Sequence, residues 1–350
     1  MTRRRRLPRL SGAVLLLVAL VVGAELALAW LHFQRSAERG SAIVWFADRA
    51  SDRLGREWVE RGLRAELGPI SPAAYERAVF SPDGAAVLAE LQGRYEAEFA
   101  ALHETVQGRG ARLVVFYVPS DPASRGEGER FFRAVATQRG VPFVSASRLG
   151  ELAPDIAFLL PWDTHPSRLG HRLMAEALAP ALEPLRPHRA PSPAVSGRPG
   201  LLGDFPPGVN EILRSQPRAP FVLRTNAQGL RMDRDVPAAP LDQVVLLLGD
   251  SFTFGTPLPV EDVYATRLAA LLPGRLVVNA GVGGYGIREE RALYQERWGE
   301  ARADIVVLQV IDNDLTSLLW FAPPLWTRAM PRREASESER ALLVRLREGL

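Results

Sequence analysis

Residues 244–255 read VVLLLGDSFTFG, an apolar run that stops abruptly at Gly249, Asp250 and Ser251. A run this short and this uniformly apolar suits a strand buried on both faces of a parallel sheet, which in turn demands helices on both sides. Ligands of open parallel sheets bind just past the carboxyl ends of their strands. Ser251 therefore stands where a nucleophile would be placed.

The rest of the chain supplies the helices and further strands. Leu88, Leu91, Tyr95, Phe99 and Leu102 recur at helical steps and predict a long helix over 85–108, stopped by Gly108 and Gly110. A strand at 111–119, a helix at 127–139, a strand at 141–147 and a helix at 167–185 follow. After a Pro-rich stretch, residues 244–249, 275–280 and 305–311 read as strands, and 262–272, 287–299 and 336–348 as helices. This alternation implies a parallel sheet. The amino half offers two strands and the carboxyl half three, each too few to cover both faces alone. Pooled, they predict a three-layer α/β/α fold with a five-stranded parallel sheet built from both halves. The expected segments are 1–31, 32–84, 85–185, 186–242 and 243–350, with 186–242 a linker dense in proline (Pro187, Pro191, Pro193, Pro199, Pro206, Pro207). Within it, residues 222–230 are the part expected to pack against the domain. No internal repeat is present.

The amino terminus gives the address. Arg3 to Arg6 precede an apolar span at about 10–31, long enough to cross a bilayer, and the positive-inside rule holds those arginines in the cytoplasm. Glu25, Trp30 and His32 read as an outer interface and favour an uncleaved anchor, although Ala27-Leu28-Ala29 has the form of a signal-peptide cleavage site. Both readings export the rest of the chain, and the first predicts a single-pass protein of the inner membrane with its globular part in the periplasm. Residues 42–67 have helical spacing (Val44, Phe46, Leu54, Trp58, Leu63) and are assigned packing rather than chemistry. The formal charge of +3 with pI near 9.6 comes entirely from arginine on the basic side, and beyond the N-terminal cluster the arginines mix with 40 acidic residues. Such mixing argues against a nucleic-acid partner. With no cysteine in 350 residues, disulfides, thiolate zinc sites and cysteine nucleophiles are excluded.

The motifs resemble those of a known family. GDSFTFG looks like the first block of the SGNH (GDSL-type) hydrolases, and RTNAQGLR at 224–231 is similar to the segment that often precedes it in membrane-anchored bacterial members. NAGVGG at 279–284 resembles the second block and IDNDL at 311–315 the third, with Asn313 in the asparagine position. The family's Asp-His block has its counterpart upstream instead of downstream, as WDTHPSRLGH at 162–171. The resemblance thus implies a flavodoxin-like sheet whose blocks follow one another in rearranged order. A single rearranged domain explains why neither half carries a complete set, and remnants of two tandem hydrolases form the rival reading.

The chemistry follows from residue types. A serine hydroxyl becomes a nucleophile when a neighbouring base takes its proton, and His165 is the candidate base for Ser251. Asp163, two residues earlier, can hold the other ring nitrogen and stabilise the imidazolium. The resemblance adds an oxyanion hole made of the Ser251 and Gly284 backbone N–H groups and the Asn313 side-chain amide, each such donor being worth roughly 3 to 4 kcal/mol in the transition state. Asp250 and Asp314 read as capping or supporting groups. Gly281, Gly283 and Gly286 match G-x-G-x-x-G, but a dinucleotide fingerprint belongs to the first strand of its unit, so no cofactor is expected. Asp163, His165, Asp250 and Asp312 show no recognised metal-ligand spacing, and no metal is expected. His103, His171 and His188 read as structural, and Trp298, Trp320 and Trp326 as core or interface. The sum is an exported, membrane-anchored serine esterase of the SGNH type working through an acyl-Ser251 intermediate, for which the resemblance implies O-acyl esters of carbohydrate or lipid as substrates. Transfer of the acyl group to a cell-envelope polysaccharide is the enzymatic alternative, since related exopolysaccharide acetyltransferases share the Asp-x-His spacing. A non-catalytic scaffold or glycan-binding protein is the alternative of a different class. The oligomeric state, and completion of the site by a second chain, stay open.

Overall fold

The computed structural model describes residues 72–120, 126–152, 154–159, 164–185, 201–213, 221–237, 243–298, 303–318 and 336–348. Helices α1 (Pro72–Val79) and α2 (Ala85–Gly108) lead into strand β1 (Arg112–Tyr117), then α3 (Glu127–Gln138), β2 (Phe143–Ser145), α4 (Arg148–Glu151), α5 (Pro154–Ala157) and α6 (Arg168–Leu182). A hairpin of β3 (Asn210–Leu213) and β4 (Phe221–Arg224) precedes β5 (Val244–Leu248), α7 (Ser251–Phe254), α8 (Tyr264–Leu271), β6 (Leu276–Asn279), α9 (Ile287–Arg297), β7 (Ile305–Val310), α10 (Asp314–Ser317) and α11 (Glu337–Glu348). The predicted membrane span at 10–31 and the helix at 42–67 lie outside the described residues. Among the described residues, no helix is long and apolar enough to cross a membrane.

The main sheet has five strands in the order β2-β1-β7-β5-β6, all parallel. Both halves of the chain contribute to it, and the seam between them is the β1–β7 pairing, where Leu113 lies opposite Val306 and Tyr117 opposite Val310. Counted from β5 through β7 and then on into β1 and β2, the sheet reads second, first, third, fourth, fifth from its β6 edge. That is the flavodoxin-like order. Successive strand residues face opposite sides. Val114, Phe116, Val245, Leu247 and Val307 pack with Met174 and Leu178 of α6 and Leu268 of α8. Tyr117, on the other face, meets Phe132 of α3, which in turn packs edge-on to Tyr95 of α2. With every residue of β5 and β7 buried, each of their apolar side chains contributes roughly 1.5 to 3 kcal/mol of burial, an upper bound set by the extended-chain reference.

Local chemistry sets the element ends. Helix α2 keeps Leu91, Tyr95, Phe99, Leu102 and Val106 on its buried stripe and ends in a Schellman arrangement, with Gly110 at φ 72° and Ala111 N–H donating to Val106 O at 3.0 Å. Ser167 starts α6 by accepting from Gly170 N–H at 3.2 Å. At its other end, Arg275 donates to the carbonyls of Leu182, Glu183 and Leu185 at 2.7, 2.9 and 2.8 Å, so a residue of the carboxyl half closes a helix of the amino half.

The Pro-rich stretch packs against the domain within the part expected to do so, residues 222–230, where Leu223 and Leu230 are buried. It contains the β3–β4 hairpin, whose Phe221 and Leu223 join Val209 and Phe254 in a small separate core. The strands are short and the loop long, so period-2 patterning had too few residues to register. In RTNAQGLR, Asn226 Oδ1 accepts from Gln228 and Leu230 N–H at 3.0 and 2.9 Å, and Gly229 takes φ 75°. The buried Arg231 then donates to Arg224 O at 3.0 Å and Leu258 O at 2.8 Å, fastening the hairpin to the chain that follows α7. Burial lowers its guanidinium to about 10.

Candidate active site

Strand β5 delivers the nucleophile turn. Gly249 follows it, Asp250 caps the next turn by accepting from Phe252 N–H at 2.9 Å, and Ser251 opens the one-turn helix α7 at the carboxyl edge of the sheet. Burial raises the Asp250 carboxyl to about 6, against the opposing pull of the Phe252 N–H and of His165. Asp250 is thus a cap within the field of the imidazole, as its reading from sequence implied.

His165 reaches this point from the other half of the chain. It lies on the loop before α6, where Leu159 N–H donates to His165 O at 3.0 Å and Phe158 bridges Pro166, so the backbone at the histidine and just after it is pinned. Its Nε2 lies 2.8 Å from Ser251 Oγ although the two residues are 86 positions apart. The Phe252 ring, with its centroid 5.3 Å from that of the imidazole, walls the histidine on one side. With the proton on Nδ1, Nε2 accepts the Ser251 hydroxyl, the geometry needed for general-base activation. Asp163, the expected partner of Nδ1, lies outside the described residues.

The glycine loop lies beside the nucleophile. A Cβ placed on Gly283 would sit 3.7 Å from Ser251 Cβ, and Gly284 follows at φ 83°, a conformation that favours glycine. Both glycines are exposed. Gly281 and Gly286 are explained by close approach instead of a dinucleotide: a Cβ on the first would collide with Thr253 and Phe254 N, and on the second with Ser317. Asn313 follows β7, the neighbour of β5, at the start of α10. Its exposed side chain makes no capping hydrogen bond; Asp314 Oδ2 serves that turn by accepting Ile311 N–H at 2.6 Å. Asp312 turns away to bind Tyr117 OH at 2.8 Å and the Ser120 N–H and hydroxyl at 3.1 Å.

The other histidines and the tryptophan behave as packing groups. His171 is fully buried, its Nδ1 accepts Tyr264 N–H at 3.1 Å, and burial lowers it to about 3. His103 stacks on Phe99, and Trp298 donates from its indole to Leu202 O at 3.0 Å. His188, Trp320 and Trp326 fall outside the described residues. Among the described residues, no group of three or more His, Asp or Glu is placed to hold a metal ion.

A buried polar layer beneath α7 was not foreseen. Thr253 donates to Gln309 Oε1 at 2.8 Å and meets Tyr264 OH at 3.0 Å, and Asn279 Nδ2 donates to Thr253 O at 2.8 Å. The one available signal was Gln309 itself, a lone amide in the otherwise apolar strand IVVLQV.

No family model matches the chain, and no curated protein matches it. Among solved structures, the O-acetyltransferase domain of Pseudomonas putida AlgJ is similar over 66% of this chain and 85% of that one, with 20% sequence identity and a TM-score of 0.44. Pseudomonas aeruginosa AlgX is similar over 64% of this chain, with 17% identity and a TM-score of 0.40, and the match spans 58% of the AlgX chain.

Proposed function

We propose that this chain is an SGNH-type serine enzyme that takes an acyl group from an O-acyl ester onto Ser251. The observation that carries the reading is the 2.8 Å approach of His165 Nε2 to Ser251 Oγ, made between two distant segments at the carboxyl edge of a parallel sheet. His165 removes the hydroxyl proton as Oγ attacks the ester carbonyl, and it returns that proton to the departing alcohol. Water, activated by the same imidazole, then releases the acid. Asp163 orients the ring, and Ser251 N–H, Gly284 N–H and the Asn313 amide hold the developing oxyanion. The resemblance in the GDS, NAGVGG, IDND and DTH motifs supports these roles, and the flavodoxin-like strand order counted from β5 supports the reading of one circularly rearranged domain.

Transfer to a carbohydrate hydroxyl is the second reading. It is favoured by the Asp-x-His spacing and by the exposure of Gly283, Gly284 and Asn313, which leaves room for an acceptor larger than water. In both readings the apolar span at 10–31 tethers the enzyme outside the cytoplasm, where envelope esters are found.

The test is turnover of a small chromogenic acetyl ester, with labelling of Ser251 by a fluorophosphonate read by mass spectrometry. Wild type should do both and Ser251→Ala neither. Hydrolysis undiminished in Ser251→Ala excludes the nucleophile, and a rate that rises with added oligosaccharide, with acetylated sugar as product, selects transfer.

A further inference from the structure

Three pieces of chain must keep a fixed spacing for the proposed chemistry: the turn carrying Ser251, the loop carrying Gly284 and the end of β7 carrying Asn313. Thr253, in the turn that carries Ser251, ties the other two to it, β7 directly and the glycine loop through Asn279. The Thr253 carbonyl accepts from Asn279 Nδ2 at 2.8 Å, and Asn279 Oδ1 accepts Gly281 N–H at 3.0 Å, so a single amide bridges the nucleophile helix to the glycine loop. The Thr253 hydroxyl donates to Gln309 Oε1 of β7 at 2.8 Å. Because that proton is committed, the contact with Tyr264 OH at 3.0 Å has the tyrosine as donor, giving a directed chain from α8 through α7 to β7. Thr253, Tyr264, Asn279 and Gln309 are each at most 1% exposed.

The two flanking glycines close on the same side chain. A Cβ on Gly249 would collide with Thr253 Oγ1 and Gln309 Oε1, and one on Gly281 would lie 2.6 Å from Thr253 Cγ2 and 2.7 Å from its Cβ. Val282 N–H also donates to Gly249 O at 2.9 Å, a second tie between the loop and the nucleophile turn. The hydrogen bonds described for Thr253 run to Tyr264, Asn279 and Gln309, and its side chain is fully buried.

We infer that Thr253 is a positioning residue, the buried node that holds the nucleophile and both oxyanion donor segments in one rigid arrangement. The inference rests on the acyl-enzyme reading given above. Misplacing a catalytic group by about 1 Å costs on the order of 100-fold in rate, because the reacting atoms leave their attack geometry. Thr253→Val keeps the branched shape and removes the hydroxyl. It frees the nucleophile turn from β7, and the loss should fall on kcat with KM unchanged.

The experiment uses the full chain and a small acetyl ester, with Ser251→Ala as the blank and circular dichroism to confirm folding at the assay temperature. Expected are a 10- to 100-fold lower kcat in Thr253→Val at wild-type KM, and a return to within about 3-fold of wild type in Thr253→Ser, which restores the hydroxyl. Gln309→Met is the second variant should Thr253→Val not fold. It removes the acceptor together with Gln309 Nε2, a buried amide without a partner among the described residues, so the strand gains an apolar side chain in an apolar setting. It should lower kcat in the same way. Wild-type kcat in either folded variant, or a change confined to KM, overturns the inference while leaving Ser251 as nucleophile. A wild type no more active than Ser251→Ala overturns the acyl-enzyme reading and this inference with it.

Discussion

At the scale of single residues, the 2.8 Å contact of His165 Nε2 with Ser251 Oγ joins the two groups that the proposed chemistry needs first. Ser251 and His165 could be named from residue type, a hydroxyl where an apolar run stops and an imidazole to take its proton, whereas Gly284 and Asn313 were named through the family resemblance. Thr253 gave no such sign, and Gln309 gave only that of a lone amide in an apolar strand. A threonine two residues past a serine is as consistent with a surface position as with a buried node, and only the fold reveals that β6, β7 and α8 all bond to it. Asn313 allows a direct test. Its amide is exposed and makes no cap, so truncation leaves α10 with the Asp314 bond intact. Asn313→Ala should therefore lose about 10² to 10³ in kcat with little change in melting temperature, measured on the acetyl ester. A loss confined to KM would assign the amide to substrate binding.

At the scale of elements, the long helix α2 was legible because it buries a clean periodic stripe, and the strands β5 and β7 because each is a nearly continuous apolar run buried on both faces. The β3–β4 hairpin was not, its four-residue strands lying in a proline-dense stretch whose composition reads as loop. Its role is visible through its packing on Phe254 and through Arg231, whose two carbonyl partners lie in sequence on either side of the nucleophile turn. Contacts between elements were equally hidden. Arg275 closes the end of α6 with three charge-assisted bonds, and Arg275→Ala should cost about 2 kcal/mol in chemical denaturation, with the slope against denaturant unchanged. The junction of α9 with α10 carries a different liability. Glu290 is 1% exposed, one of its oxygens has no partner among the described residues, and burial followed by the carboxylates of Asp314, Asp250 and Glu289 raises it well above its ordinary value. A raised carboxyl is protonated in the folded chain where the unfolded chain has released the proton. Stability from this group is complete below the unfolded value, near 4.3, and is lost as pH rises through the folded one. Glu290→Gln keeps the shape without the charge. Its melting temperature should match wild type near pH 4 and exceed it increasingly toward pH 8; parallel pH profiles would show that Glu290 carries no such cost.

At the scale of the whole molecule, the order of the chain and the order of the sheet are separate facts, and the Ser251–His165 contact joins segments that are far apart in the first. His165 arrives from β2 and the segment before α6, Ser251 from β5, yet β1 and β7 pair along six residues of each strand and make one sheet of the two halves. Pooling the halves was deducible, because neither two nor three strands can cover both faces of a parallel sheet. The seam was not, since strand neighbours follow from packing that periodicity does not record. If the sheet alone defines the site, the chain can be opened elsewhere without harm. The carboxyl-terminal helix offers the place to close it: Arg345 donates to Asp83 O at 2.6 Å and Ser338 is bonded to Glu90, so α11 lies against the start of α2. A permuted chain that begins at Leu201, joins Glu348 to Pro72 through a short glycine-serine linker and ends at Leu185 would place the motifs in the order serine, glycine, asparagine, histidine. It should fold cooperatively, label at Ser251 with fluorophosphonate and turn over the acetyl ester within about 10-fold of the parent, since each hydrogen bond around Thr253 lies within retained segments. A permutant that folds with the parent's circular dichroism but fails to label Ser251 would show that the order of the chain, and not the sheet it builds, sets the Ser251–His165 contact.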